Sequence, residues 1–254
     1  MNGSTGVGPQ RVRVVFAKGE AVKYVSHLAL MRAWERIVRR ADLPIAYSQG
    51  FNPRPRLTFA SALPVGSMGC AEVMDMELSR YVEVDEIRSR LAQQLPHGFA
   101  IETVIEVPSQ APKLQADVRY GVYRVTLDAV EDEAGFQDKL RHLMEEPSLL
   151  VWREHKGRMR EHDLRPLIHD LWYVGRADGR CVMGMILVVS NAGAGRPDEV
   201  LRALGLSEHW HSVTRVRLLF AGDITELYSA KALVTLQDGH PCSRVDNGHV
   251  ASLE

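Results

Sequence analysis

The sequence predicts an α+β protein made of two tandem ferredoxin-like (βαββαβ) halves, the second elaborated. Three observations lead there. Segments of strand period and helix period alternate in the order β, α, β, β, α, β across residues 11–107. A proline-bearing connector occupies residues 108–118. The pattern then recurs loosely, with additions, across residues 119–237. Residues 1–10 and 238–254 are polar and rich in turn formers, and are expected to be disordered tails.

Each element has its own local warrant. Residues 11–17 alternate as RVRVVFA, the pattern of a half-buried strand. Gly19 and Glu20 mark a turn. Ser26 is placed to cap a helix in which Leu28, Met31, Trp34, Val38 and Ala41 recur at helical spacing, and Pro44 closes it. Residues 56–61 and 72–78 read as strands joined through Pro64, Gly66 and Gly69. Residues 84–95 form an amphipathic helix ended by Pro96 and Gly98, and 99–107 a further strand. In the second half, 119–127 is a strand and 133–144 a helix. Residues 149–155 and 158–164 make a hairpin around Lys156-Gly157, and 171–174 a short extra strand. A buried strand at 181–190, a short helix at 197–204 with Pro197 near its first position, and a strand at 213–220 complete the series.

Composition narrows the function classes. Hydrophobic residues make up 45% and charged residues 25% of the 254, ordinary for a globular protein. No stretch approaches the roughly 18 apolar residues that span a bilayer. The first ten residues lack the basic and apolar regions of a secretory signal, so no membrane association and a cytoplasmic location are expected. Cys70, Cys181 and Cys242 are distant and odd in number, and suggest neither a disulfide framework nor a metal knuckle. A three-cysteine iron–sulfur motif is lacking too, so no cofactor and no metal are expected.

Net charge is −1, which argues against a general nucleic-acid binder, but the charge is unevenly spread. Residues 11–57 hold ten Lys or Arg (11, 13, 18, 23, 32, 36, 39, 40, 54, 56) against three acids (20, 35, 42), a local +7. The remainder holds 21 basic and 29 acidic residues, a balance of −8. Such asymmetry points to a polyanion site.

The first helix and the loop after it hold the candidate site. At 100° per residue, Arg32, Arg36, Arg39 and Arg40 fall within about a 100° arc opposite the apolar side. Two readings fit: a solvated helix face, or a phosphate-contacting face, to which arginine is better suited than lysine. Ser26 and His27 open the helix, where unsatisfied N–H groups favour an anion. Capping by Ser26 alone also accounts for both positions, and His27 is a weak candidate for proton transfer because no partner is identifiable. Residues 47–56 are too polar and broken for regular structure. There Tyr47 and Phe51 offer rings for stacking, or side chains for the core. Ser48, Gln49 and Asn52 offer hydrogen bonds, and Arg54 and Arg56 charge.

Other constellations carry less. His155, His162 and His169 recur every seven residues but have no acid–histidine ligand spacing. The segment 208–211, EHWH, supplies two histidines at most to one side. Arg165 between Asp163 and Asp170 reads as a structural ion pair. Gly193-Ala194-Gly195 lacks the features of a P-loop and reads as a turn.

Several of these motifs together resemble the radical-SAM-linked bacterial protein family, a domain of unknown function. The resemblance rests on Ser26-His27-Leu28, on Tyr47 through Pro53, and on Phe59-Ala60-Ser61-Ala62-Leu63-Pro64 followed by Gly66. It extends to Asp163-Leu164-Arg165-Pro166-Leu167 and to Arg196-Pro197-Asp198-Glu199-Val200-Leu201. The family's loop usually reads Asn-Pro-His-Pro, and Arg54 stands where that histidine would lie. A proton-transfer role for that position is therefore not expected here, while anion contact survives the change.

The resemblance implies a cobalamin-binding radical-SAM-type protein as partner, fused or encoded nearby, in a neighbourhood of RNA and ribosome metabolism. Two tandem ferredoxin-like halves are also similar, by fold-level analogy alone, to endoribonucleases that process CRISPR repeats. The expected function is a non-catalytic accessory protein that recognises RNA or an RNA–protein particle. Arg32, Arg36, Arg39, Arg54 and Arg56 would engage phosphate, Tyr47, Gln49, Phe51 and Asn52 would read shape or bases, and the acidic second half would face the protein partner. The alternatives are a metal-independent RNA-processing enzyme using His27 with Arg36 or Arg54, and a protein-only adaptor.

Overall fold

In the computed structural model, which describes residues 9–128, 132–155, 157–190 and 193–235, the chain is α+β and divides into two compact units at Asp117/Val118. The tails expected at 1–10 and 238–254 lie almost wholly outside the described residues. Among the described residues no helix is long and apolar enough to cross a membrane.

The first unit runs β1 (Gln10–Lys18), α1 (His27–Arg40), β2 (Leu57–Phe59), β3 (Met68–Leu78), α2 (Val84–Ala92), β4 (Phe99–Glu106) and a four-residue helix, α3 (Leu114–Asp117). Its strands lie in the order β4-β1-β3-β2, with every neighbour antiparallel. The alternation in β1 sends Val12, Val14 and Phe16 to one face, where Met74, Met76 and Leu78 of β3 join them. Leu30, Trp34, Ile37 and Val38 of α1, with Ile87 and Leu91 of α2, close this core. Trp34 meets Phe16 edge-on at 4.8 Å. Leu28, expected in the core, is instead exposed: it lies on the flank of the helix, outside the arc set by Leu30, Trp34 and Ile37.

The opposite face of β1 and β3 carries a buried ionic knot. Asp75 lies almost wholly out of solvent and accepts from Arg11 Nε at 2.9 Å and Arg13 Nε at 2.8 Å. Arg11 Nη1 and Nη2 also donate to the carbonyls of Ala111 and Pro112, so this arginine pins the connector to β1.

The second unit runs β5 (Val118–Leu127), α4 (Glu133–Glu145), the hairpin β6 (Leu150–His155) and β7 (Arg158–Asp163), then β8 (Ile168–Ala177), β9 (Arg180–Ser190), β10 (Gly193–Ala194), α5 (Pro197–Ala203), β11 (His211–Phe220) and α6 (Leu227–Thr235). The strand order is β11-β5-β9-β8, again antiparallel throughout, with β10 turning back to pair antiparallel with the end of β9. One face packs Tyr123, Val125 and Leu127 against Phe136, Leu140, Val200 and Leu201. The other packs Val122, Ile186, Val216 and Leu219 against Ala230 and Val234 of α6.

Three expectations for this unit are corrected. The short strand at 171–174 is the ten-residue β8; its register shifts at Ile168/Asp170 and Tyr173/Gly175, which breaks the alternation that would have revealed it. Arg165 makes no ion pair among the described residues. Its guanidinium donates to the carbonyls of Met144 (2.7 Å from Nη2) and Ile168 (3.0 Å from Nη1), tying the end of α4 to the start of β8. Gly193-Ala194 is strand rather than turn, and Gly195 approaches so closely that a Cβ there would meet the Leu167 carbonyl oxygen at 2.8 Å.

Candidate functional site

The structure sorts the ten basic residues of the 11–57 stretch into two groups. Arg11 and Arg13 are spent on Asp75. Lys18 is 1% exposed, its Nζ donating to the carbonyls of Lys23 (2.8 Å) and Ser67 (3.3 Å). Lys23 pairs with Glu20, whose carboxylate raises the lysine above its ordinary range. Arg56 pairs with Glu77 at 2.7 Å on the surface. Arg32, Arg36, Arg39, Arg40 and Arg54 are all exposed, and none has an ion partner among the described residues. The sequence count of +7 therefore contracts to five available arginines, four of them on α1.

The helix presents those four because its ends and inner face are fixed. Ser26 Oγ accepts from the Ala29 N–H at 3.3 Å, so the hydroxyl is used as an N-cap. The chain leaves α1 through Ala41 and Asp42, the latter at φ 51°, before Pro44. With Leu30, Trp34, Ile37 and Val38 buried, the arginines at 32, 36, 39 and 40 necessarily face outward.

His27 does not join them. Its ring meets Phe59 edge-on at 5.6 Å, on the core side of the helix. Nine residues separate it from Arg36, which is about 13.5 Å along the axis and half a turn around. The two do not converge on one reacting atom. The buried Cys181 thiol is no alternative nucleophile, since burial pushes it up to about 11.

The loop after α1 is more ordered than its composition suggests. Ile45 bridges Leu78, the Ala46 N–H donates to Glu77 O, and the Arg56 N–H donates to Ala46 O. Tyr47 bridges Pro55, the Ser48 N–H donates to Arg54 O at 2.9 Å, and Ser48 Oγ accepts from the Arg54 N–H at 3.0 Å. The result is a narrow, hairpin-like loop whose tip, 49–53, includes Gly50 at φ 122°. Phe51 at the tip is fully exposed and Tyr47 is 43% exposed, so neither ring is in the core. Gln49, Asn52 and Arg54 are exposed beside them.

Lys18 was not singled out from sequence, although it joins two of the recognised motifs. The Lys23 carbonyl that accepts from Lys18 also accepts from the Gly66 N–H at 3.0 Å. Gly66 is at φ +87°, and a Cβ there would meet the Tyr24 ring at 3.7 Å. The segment preceding Ser26-His27 and the segment 59–66 are thus fastened together at the start of α1. The only local signal was the loss of alternation at the end of β1, where Phe16, Ala17 and Lys18 are all buried.

Among the described residues no group of three or more His, Cys, Asp or Glu could hold a metal ion. His162 Nε2 lies 3.7 Å from Glu199 Oε2, and the His169 ring meets Tyr120 at a tilt, 5.1 Å between centroids, so these two serve different neighbours; the His155 side chain lies outside the described set.

A family model described as "Uncharacterized protein conserved in bacteria (DUF2344)" matches residues 11–197. The chain belongs to that family. The match takes in α1, its arginines and the loop, and runs to the first residue of α5. No curated protein matches. Among solved structures the chain is similar to a chain of a Cbf5-Nop10-Gar1 complex, at 11% identity and a TM-score of 0.41, covering 86% of this chain and 54% of that one. It is also similar to a putative glycine cleavage system transcriptional repressor, at 11% identity and a TM-score of 0.22, covering 84% and 98%. The chain thus spans about half the length of the first of these.

Proposed function

We propose that this DUF2344 protein is an RNA-recognition accessory protein of the cytoplasm. Arg32, Arg36, Arg39 and Arg54 engage phosphate, and the Tyr47–Pro55 loop stacks Tyr47 and Phe51 on unpaired bases. Gln49 and Asn52 supply hydrogen bonds to base edges. The radical-SAM-type partner enters this proposal through the motif resemblance alone, and the acidic balance outside 11–57 is assigned to it. Each unit is read as a ferredoxin-like half, supported by the strand orders β4-β1-β3-β2 and β11-β5-β9-β8, with the β6–β7 hairpin as the elaboration.

The observation that carries the proposal is the residue of charge left after pairing. Arginines that are long, exposed and unpaired repel one another along α1, and a polyanion relieves that repulsion. A fully exposed phenylalanine on a loop braced by cross-loop hydrogen bonds supplies a stacking surface whose flanking backbone is already ordered.

The test is binding to bulk small RNA across a salt series, beside a variant carrying Arg32→Ala, Arg36→Ala and Arg39→Ala. For single-stranded contacts each lost phosphate contact lowers the slope of log K against log salt by about 0.7, so the triple variant should be shallower by about 2. No binding by the parent at low salt would overturn the proposal in favour of the protein-only adaptor. Retained binding with turnover lost in a His27→Ala variant would favour the enzyme.

A further inference from the structure

We propose that the free edge of β6 and the groove it forms with α5 take up an extended peptide segment of a partner protein as a third strand. The preferred segment is apolar at alternate positions and carries one acidic residue. This site lies wholly in the second unit and uses no residue of the α1 and loop surface.

The phase of the hairpin's hydrogen bonds decides which backbone groups are available. β6 pairs with β7 in the register Leu150↔Asp163, Trp152↔Glu161, Glu154↔Met159, and the two strands form a sheet of their own. The Leu164 N–H donates to Leu149 O at 2.8 Å, so 149/164 is a bonded pair. Bonded and non-bonded pairs alternate in an antiparallel ladder. Residues 151 and 153 therefore bond inward to β7, and the N–H and C=O groups of Leu150, Trp152 and Glu154 point the other way. Those outward groups have no partner among the described residues.

The same β6 residues border a groove of about 760 Å³, lined by residues 148–154 and Met159 of the hairpin and by Arg196, Asp198, Glu199, Arg202 and Ala203. That volume falls within the range of ordinary ligand clefts. The floor is already neutralised: Arg153 clasps Glu199 with Nε at 2.6 Å, and Glu199 is 2% exposed. Leu150 and Trp152, 63% and 55% exposed, project on the same face of the strand, two residues apart. That spacing matches side chains at alternate positions of an added strand. Arg196 at the head of α5 is exposed and has no ion partner among the described residues, which favours a carboxylate beside it.

The test uses the full chain and an array of short synthetic peptides that alternate apolar and polar residues, in acidic, basic and order-scrambled versions. The parent should bind alternating acidic peptides in preference to basic or scrambled ones. Binding should slow hydrogen exchange at the Leu150, Trp152 and Glu154 amides. Trp152→Pro removes an outward N–H and blocks strand addition while sparing the bonds to β7, so affinity should fall at least about tenfold. Arg196→Ala should abolish the preference for acidic peptides. Neither variant should change the RNA salt slope, which separates failure of this proposal from failure of the RNA reading. If Trp152→Pro lowers the unfolding midpoint, the exchange pattern in the parent decides alone. Absence of binding to any array peptide, binding that leaves those three amides unprotected, or a peptide-free dimer paired through β6 would each overturn the proposal.

Discussion

Replacing Asp75 by Ala tests whether Arg11 and Arg13 belong to the fold or to the polyanion surface. The carboxylate takes four N–H bonds from two guanidiniums, at 2.9 and 2.5 Å from Arg11 and at 2.8 and 3.3 Å from Arg13. Removing it leaves two cations, each with about four-fifths of its side chain out of solvent, side by side on β1. Breaking a buried ion pair by deleting one partner costs about 3–5 kcal/mol, and the residual exposure here puts the expectation near 3. For a chain of this length each kcal/mol lowers the unfolding midpoint by about 2–4 °C, so calorimetry should find the midpoint about 6–12 °C lower. Arg13→Met leaves Asp75 bonded to Arg11 and should cost about 1 kcal/mol. It should also leave the RNA salt slope unchanged. A loss below about 1 kcal/mol for Asp75→Ala, or a fall in slope near 0.7 for Arg13→Met, would refute the assignment of these arginines to the fold.

Four further outcomes follow from single contacts. The backbone N–H groups of Leu149 and Arg165 hold Asp163 below the ordinary carboxylate range. Its contribution is therefore present above the carboxylate's unfolded value near 4 and lost as pH falls through the depressed folded one, so Asp163→Asn should flatten the acid limb of a melting-temperature profile. Arg165→Met strands the Met144 and Ile168 carbonyls and should cost about 2–3 kcal/mol in urea titration with m unchanged. Gly184→Ala would set a methyl 2.1 Å from the Trp172 ring and should cost about 1–3 kcal/mol while altering the near-ultraviolet signal of that indole. Ser48→Ala removes one cross-loop bond; RNA affinity should fall about fivefold, as measured by titration at one salt concentration, with the salt slope unmoved.

The elements were legible where one local signal sufficed. Ser26 as cap, the helical spacing of Trp34 and Val38, and the alternation in β1 belong to neighbours within one or two turns of chain, which periodicity reads directly. β8 was legible only as a fragment because its two register shifts send consecutive residues to unexpected faces. α6, unassigned in the sequence, is held by Ala230 and Val234 against Val122 and Ile186, partners dozens of residues away. The charge balance overstates the available charge for the same reason. Asp75 neutralises residues 64 and 62 positions earlier, and Glu199 neutralises one 46 positions earlier, so a tally along the chain counts as available charge that the fold has consumed.

The loop shows how far composition misleads about rigidity. Residues 47–56 contain the glycine, prolines and polar side chains of an irregular segment, yet three rungs of backbone contact, at 46/56, 47/55 and 48/54, brace it like a hairpin. Each rung restrains backbone dihedrals whose ordering costs about 1–2 kcal/mol per residue, a cost met on folding rather than on binding. A phenylalanine at such a tip has no core to enter and remains wholly in water. An apolar ring held outward on a braced backbone is a poor arrangement for stability and a good one for contact, which is why the loop, rather than His27, is the stronger part of the proposed site.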